Sequence, residues 1–179
     1  TANYNGSVPT ITYTTNTGFT STLNITVTAV NDVATSANVS LSTLAHVGLV
    51  FNISDFAFND VDTTDTLQKV VITSLPSSSK GYLQYDTTGN GDWENVTLNQ
   101  DVTAAHITAG RLQFNPASNT NGSLTFSFKV NDGTVNSVSS YTATVNIATV
   151  DDASVLTADT LTVLEDANTT SGRVLANDS

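Results

Sequence analysis

The sequence predicts an all-β chain built around a β-sandwich module that repeats. Two observations carry this. Apolar and β-branched residues alternate with polar ones in short runs, each closed by Asn, Asp, Gly or Pro. The same run then recurs about 120 residues further on. Leu23-Asn24-Ile25-Thr26-Val27-Thr28-Ala29-Val30 ends at Asn31-Asp32, and 141–150 ends at Asp151-Asp152. Asn5-Gly6-Ser7 precedes the first run, as Asn121-Gly122-Ser123 precedes the second. Between these anchors Ile11 and Tyr13 fall opposite Phe126 and Phe128 only after a slip of one residue, so the register there is open. Phe58-Asn59-Asp60 finds its echo in Ala176-Asn177-Asp178. The expected division is the last strands of one module in 1–32, a complete module in 33–152, and the start of a third in 153–179.

In chain order, strands are expected at 10–14 and 23–30, with Asn16-Thr17-Gly18 between them. Residues 38–44 form the first strand of the full module and 47–53 a second apolar segment. In Phe56-Ala57-Phe58-Asn59-Asp60-Val61-Asp62 the two Phe share one face, and so do the two Asp. Residues 63–66 read as a turn and 67–75 as a strand, broken by Pro76 and the serines after it. A short strand at 82–85 leads into a Gly-rich acidic loop. Residues 96–98 form a brief strand, 101–110 a helical turn closed by Gly110, and 112–114 a strand stopped by Pro116. In 124–131 Leu124, Phe126, Phe128 and Val130 point inward and Lys129 outward. Asn131-Asp132-Gly133 turns the chain into the last strand. Strands this short and this closely spaced read as a sandwich.

Charge limits the partners. The 179 residues carry 5 Lys and Arg against 16 Asp and Glu, a formal charge of -11. Such a surface repels nucleic acid and anionic membrane faces and attracts cations. There is no cysteine, so neither disulfides nor zinc–thiolate sites are available. No apolar run is long enough to span a bilayer. His46 and His106 match no metal-ligand or nucleophile spacing, and acidic pairs arise by chance in so acidic a chain, so no enzyme is expected. The eight Asn-x-Ser/Thr sequons, among them Asn24, Asn38, Asn52 and Asn95, follow from composition.

The acidic junctions are the main candidate site. Asn31 and Asp32 lie at one end of the full module, Asp151 and Asp152 at the other, and Asp60 and Asp62 can face such a junction. Calcium takes six to eight oxygen ligands of these kinds, and one ion between modules would neutralise several charges. The plain alternative is that these are solvated turn residues. A second candidate is the loop Asp86-x-Thr88-x-Asn90-Gly91-Asp92, which offers oxygens at alternate positions; Thr97 stands where a calcium loop would place its closing Glu. Trp93 follows this loop. Exposed, it could stack on a sugar beside Tyr82 or Tyr85; buried, it plugs the module's end.

Several motifs occur in a fixed order. They are Val30-Asn31-Asp32, Asp55 to Asp62, Leu75-Pro76 with Gly81-Tyr82-Leu83, Leu112 to Pro116 with Asn121-Gly122, and Phe126 to Gly133. In this order they resemble the cadherin-like repeats of large bacterial surface adhesins, over essentially the whole chain. The resemblance implies a Greek-key sandwich of the cadherin or immunoglobulin kind, secreted to the bacterial cell surface. It implies calcium between neighbouring repeats and a role as a spacer in attachment or biofilm formation. The module would carry a binding region that meets a cell-surface glycan or protein. A ligand-binding module that uses the Trp93 loop is the alternative. The family places Glu-Asp after its first strand, as in Glu165-Asp166, whereas the full module has Ala45-His46. On this reading the first junction is short of ligands, and Asp151, Asp152, Glu165 and Asp166 supply the second better.

Overall fold

The computed structural model describes residues 3–151 together with Glu165. The chain divides into two compact units, Thr1–Thr149 and Val150–Ser179. In the second unit Val150, Asp151 and Glu165 are exposed, Glu165 within a turn. Strand dominates the first unit, which makes it all-β, and no helix among the described residues is long and apolar enough to cross a membrane.

Strands β1 (Gly6–Ser7), β2 (Ile11–Thr14), β3 (Thr20–Leu23) and β4 (Thr26–Val27) fold the N-terminal segment into an interrupted hairpin. The run expected as one strand over 23–30 is thus split in two. Pro9 is the physical reason: it has no amide to give to a ladder, and one additional residue lies beside it. A Val8 N–H to Ile25 carbonyl bond of 3.0 Å bridges the break.

The remaining elements follow in order. They are β5 (Val39–Leu44), β6 (Leu49–Val50), a 3-10 turn (Ile53–Asp55), β7 (Lys69–Ser74), β8 (Gly81–Tyr85), β9 (Glu94–Asn95), β10 (Asp101–Thr103), α1 (Ala104–Thr108), β11 (Leu112–Pro116), β12 (Gly122–Asn131) and β13 (Tyr141–Ala148). One sheet has the order β10-β7-β12-β13-β5 and the other β6-β11-β8-β9. All neighbours are antiparallel except β5 and β13, which run parallel with Val39 opposite Ala143 and Leu44 opposite Ala148.

Period two sets the core. Leu124, Phe126, Phe128 and Val130 of β12 are buried as expected. They share one apolar cluster with Leu83 and Tyr85 of β8 and with Leu112 and Phe114 of β11, so the two sheets close on a common interior. Phe51 meets Phe126 edge-on at 5.5 Å, and Phe56 meets Phe128 edge-on at 5.0 Å. Each such ring contributes about 1.5–3 kcal/mol through burial. The Asp55 carboxylate accepts the Asn52 N–H at 2.8 Å, which closes the short turn and seats Phe56. The apolar segment expected at 47–53 is therefore only partly a strand. Residues 101–110 begin as strand β10, and Thr103 then caps α1 by accepting the His106 N–H at 3.3 Å. Gly81 has φ +139°, and a Cβ there would lie 2.3 Å from the Asn115 carbonyl oxygen, so only glycine fits where β8 meets β11.

The hairpin repeats the β12–β13 pairing. Gly6 faces Val27 and Ser7 faces Thr26, as Gly122 faces Ile147 and Ser123 faces Asn146. Ile11 faces Leu23, as Phe126 faces Ala143. This settles the open register: Ile11 and Tyr13 answer Phe126 and Phe128. In the hairpin this apolar face is exposed, at Ile11, Tyr13 and Leu23; in the full set of strands it is buried.

Candidate metal centre at the acidic pole

Residues 28–32 carry the chain from the hairpin to the main body. A bridge between Thr35 and Asn59, with N–H to carbonyl distances of 2.8 and 2.9 Å, clamps this segment to the loop after Phe58. Phe56 is buried and Phe58 packs on the core, so the loop is anchored where it turns acidic. Asp60 Oδ1 then accepts the Asp62 N–H at 3.0 Å, and the Asp62 carbonyl accepts the Asp65 N–H at 2.9 Å. The two turns stack Asp60, Asp62 and Asp65. Carboxylate oxygens of the three lie within 4.8 Å of one another.

The segment before Thr35 closes on this group. Asp62 Oδ2 accepts the Asp32 N–H at 2.8 Å. Asn31 Nδ2 donates to Asp132 Oδ2 at 3.2 Å and to the Asp32 carbonyl at 2.7 Å. Asp132 is itself buried, and its Oδ1 accepts the N–H groups of Thr134 at 2.6 Å and Val135 at 2.8 Å. Burial opposes its ionisation. The hydrogen bonds from Val135, Thr134 and the Asn31 side chain outweigh that and hold its carboxyl below the usual range. Asp60 Oδ2 is buried and has no hydrogen-bond partner. A cleft of about 400 Å³ opens beside the group, with Asn31, Asp62 and Asp65 in its wall.

The four residues expected at this junction, Asn31, Asp32, Asp60 and Asp62, are thus brought to one pole. Sequence reasoning missed Asp65 and Asp132. A signal existed for Asp65, in the three-residue step from Asp62 through a turn. None existed for Asp132, whose Asn-Asp-Gly setting reads as an ordinary turn.

The place given to Ala45 and His46 needs correction. Because β5 runs parallel to β13, its end lies at the pole where β13 ends, and the Ala45 N–H donates to the Ala148 carbonyl at 2.8 Å. Asp132 follows the end of β12, which pairs antiparallel with β13, so the acidic group lies at the other pole. Ala45 and His46 therefore subtract nothing from the first junction. Of the residues expected at the second junction, Asp151 and Glu165 are exposed, and Asp152 and Asp166 lie outside the described residues.

The Gly-rich loop turns inward on itself. Asp86 is buried; its Oδ1 accepts the N–H groups of Thr88 at 3.2 Å and Gly89 at 2.6 Å, and its Oδ2 that of Gly91 at 2.9 Å. Burial works against its charge. Bonds from Gly91, Gly89 and Thr88, with Arg111 nearby, prevail and lower its pKa. Arg111 lies against Gly89, where a Cβ would come within 2.3 Å of the guanidinium. Asn90 Oδ1 accepts from Thr88 and Asp92, and Asn90 Nδ2 donates to Asp92 Oδ2 at 2.6 Å. The oxygens of this loop thus serve its own amides and hydroxyls.

Tyr85 is not a surface platform. It is only 5% exposed, and its hydroxyl bonds to His106 Nδ1. It alternates inward with Leu83, and burial raises its pKa. Trp93 is half-buried. Compared with protein-family models, with curated proteins and with solved structures, the chain finds no match.

Proposed function

We propose that this chain is a calcium-stabilised spacer segment of an extracellular bacterial surface adhesin, built of Greek-key, cadherin-like β-sandwich repeats. The observation that carries the reading is the acidic pole. Asn31 and Asp32, which leave one repeat, meet Asp60, Asp62, Asp65 and Asp132 of the next, and Asp60 Oδ2 is buried there without a hydrogen-bond partner. Three carboxylates at such range repel, and a buried oxygen with no donor is costly. The donor set is all hard oxygen, with no sulfur or imidazole in it, which suits calcium. Asp60, Asp62 and Asp65 would hold the ion. A bound ion would neutralise the group and tie the incoming segment to the module.

The repeat supports the spacer role. The hairpin copies the register of β12 and β13, as parts of successive modules would. A tandem array stiffened at its joints suits projection of a binding region from a cell surface, with neighbouring repeats as its first partners and no catalytic task. The burial of Tyr85 speaks against a binding platform on the Trp93 loop. The test is isothermal calorimetry with calcium, together with small-angle scattering in EDTA and in millimolar calcium. Binding heat and a longer, narrower particle in calcium are expected. No heat and an unchanged scattering curve would leave the acidic pole as solvated surface.

A further inference from the structure

The outer face of the four-stranded sheet carries a row of side-chain amides in register. Gln113 stands opposite Gln84 in the β11–β8 pair, and Gln84 opposite Asn95 in the β8–β9 pair. Gln113 Nε2 donates to Gln84 Oε1 at 3.3 Å, and Gln84 Nε2 donates to Asn95 Oδ1 at 3.3 Å. The row is directional, since each amide gives its NH2 to the next carbonyl oxygen. Asn95, the last member, is oriented by the acceptance it makes. Its Nδ2 has no protein partner among the described residues and sits on the edge strand.

Beyond that edge lies a pocket of about 230 Å³. Leu75, Pro76, Tyr82 and Val96 supply apolar wall, and Ser78 and Asn95 supply polar groups. No acidic or basic side chain lines it, although the chain carries a net charge of -11. Tyr82 alternates outward from buried Leu83 and is 46% exposed. Pockets for drug-sized molecules run to about 300–1,000 Å³, so this one fits a single small ring.

From these features we infer that the pocket is a subsite for one ring of a neutral saccharide. The Tyr82 ring is an apolar platform for the C–H face of a pyranose, and the oriented Asn95 Nδ2 is a donor for a ring hydroxyl. Ser78 Oγ can give or accept a second bond. The absence of a cation in the pocket, within an acidic surface, disfavours sialylated, uronic or sulfated sugars. This site is separate from the acidic pole and needs no calcium.

The experiment uses the whole chain with calcium present. Neutral and acidic glycans are screened on an array, and hits are measured by saturation-transfer NMR with the corresponding mono- and disaccharides. Neutral sugars are expected to bind with Kd of about millimolar or tighter. Tyr82→Ala should weaken them by at least about tenfold, the scale of one lost aromatic contact. Asn95→Asp keeps an acceptor for Gln84 and replaces the donor with a charged carboxylate oxygen, so it should also weaken binding while the melting temperature holds. Amide shifts on titration should centre on β8, β9 and the turn after β7. No neutral sugar bound, binding that survives Tyr82→Ala, shifts centred elsewhere, or occupation only by uncharged peptides would each overturn the assignment.

Discussion

Asp62→Asn should change stability with opposite signs in the absence and presence of calcium. The substitution keeps an oxygen to accept the Asp32 N–H, now seen at 2.8 Å, so the loop geometry survives. What it removes is one of three charges whose oxygens lie within 4.8 Å of one another. At that separation each pair repels by about 1 kcal/mol even at the dielectric constant of water, and physiological salt reduces the figure. In EDTA the variant should therefore be more stable than the parent by about 1 kcal/mol. With calcium the balance reverses. An ion that binds only the folded chain adds about 2.7 kcal/mol at one hundred times Kd. For a unit of this size that is about 10 °C in melting temperature. The variant should lose most of that gain. Thermal melts followed by circular dichroism, in EDTA and in calcium, give four curves. If the variant falls below the parent by the same amount in both solutions, Asp62 is only a hydrogen-bond acceptor and the charge argument fails. If calcium moves neither protein, the metal is not there to be lost.

Phe128→Ala should cost about 3–5 kcal/mol by urea unfolding, because the ring is fully buried and meets Phe56 edge-on at 5.0 Å; a cost below about 1 kcal/mol would mean the cluster is loosely packed. Gly81→Ala should destabilise by at least about 2 kcal/mol and shift amide resonances in both β8 and β11, since its Cβ would meet the Asn115 carbonyl at 2.3 Å; a silent substitution would refute that close approach. Asp132 ionises more readily folded than unfolded, so its contribution is complete above the unfolded pKa of about 3.9 and is lost as pH falls through its lower folded pKa. Asp132→Asn should thus lower stability at pH 7 by about 1–3 kcal/mol and flatten the acid limb of a melting-temperature profile; an unchanged acid limb would place the acid sensitivity elsewhere.

What the sequence made legible is what local spacing encodes. Period two in β12 named its four buried apolar residues, and the spacing of Asp60 and Asp62 put both on the acidic loop. The repeat marked Asn31 and Asp32 as the close of a recurring run. What it left out depends on contacts between distant residues. Asp132 is 101 positions from Asn31, and only the pairing of β12 with β13 carries its turn to that pole. The repeat sets Ala45 and His46 against Glu165 and Asp166 in sequence. A repeat gives correspondence and not direction, and the parallel pairing of β5 decides the pole. Tyr82 and Tyr85 are three apart in one strand and face opposite ways, so choosing the surface residue required knowing which side the core takes.

The parallel pairing of β5 with β13 also governs how the chain would carry tension. The segment before β5 leaves at the acidic pole, and β13 ends at the other. A pull on the two ends therefore draws these neighbours past each other along their length. Six facing residue pairs, Val39 to Leu44 against Ala143 to Ala148, resist together. An antiparallel pair pulled at one end opens rung by rung, each hydrogen bond bearing the load in turn. Sliding loads the ladder as a whole, and its rupture is a single event with a high barrier. Forced unfolding follows the rate of that event and not equilibrium stability. A tether made of such units would hold under drag even where each unit is only moderately stable at rest.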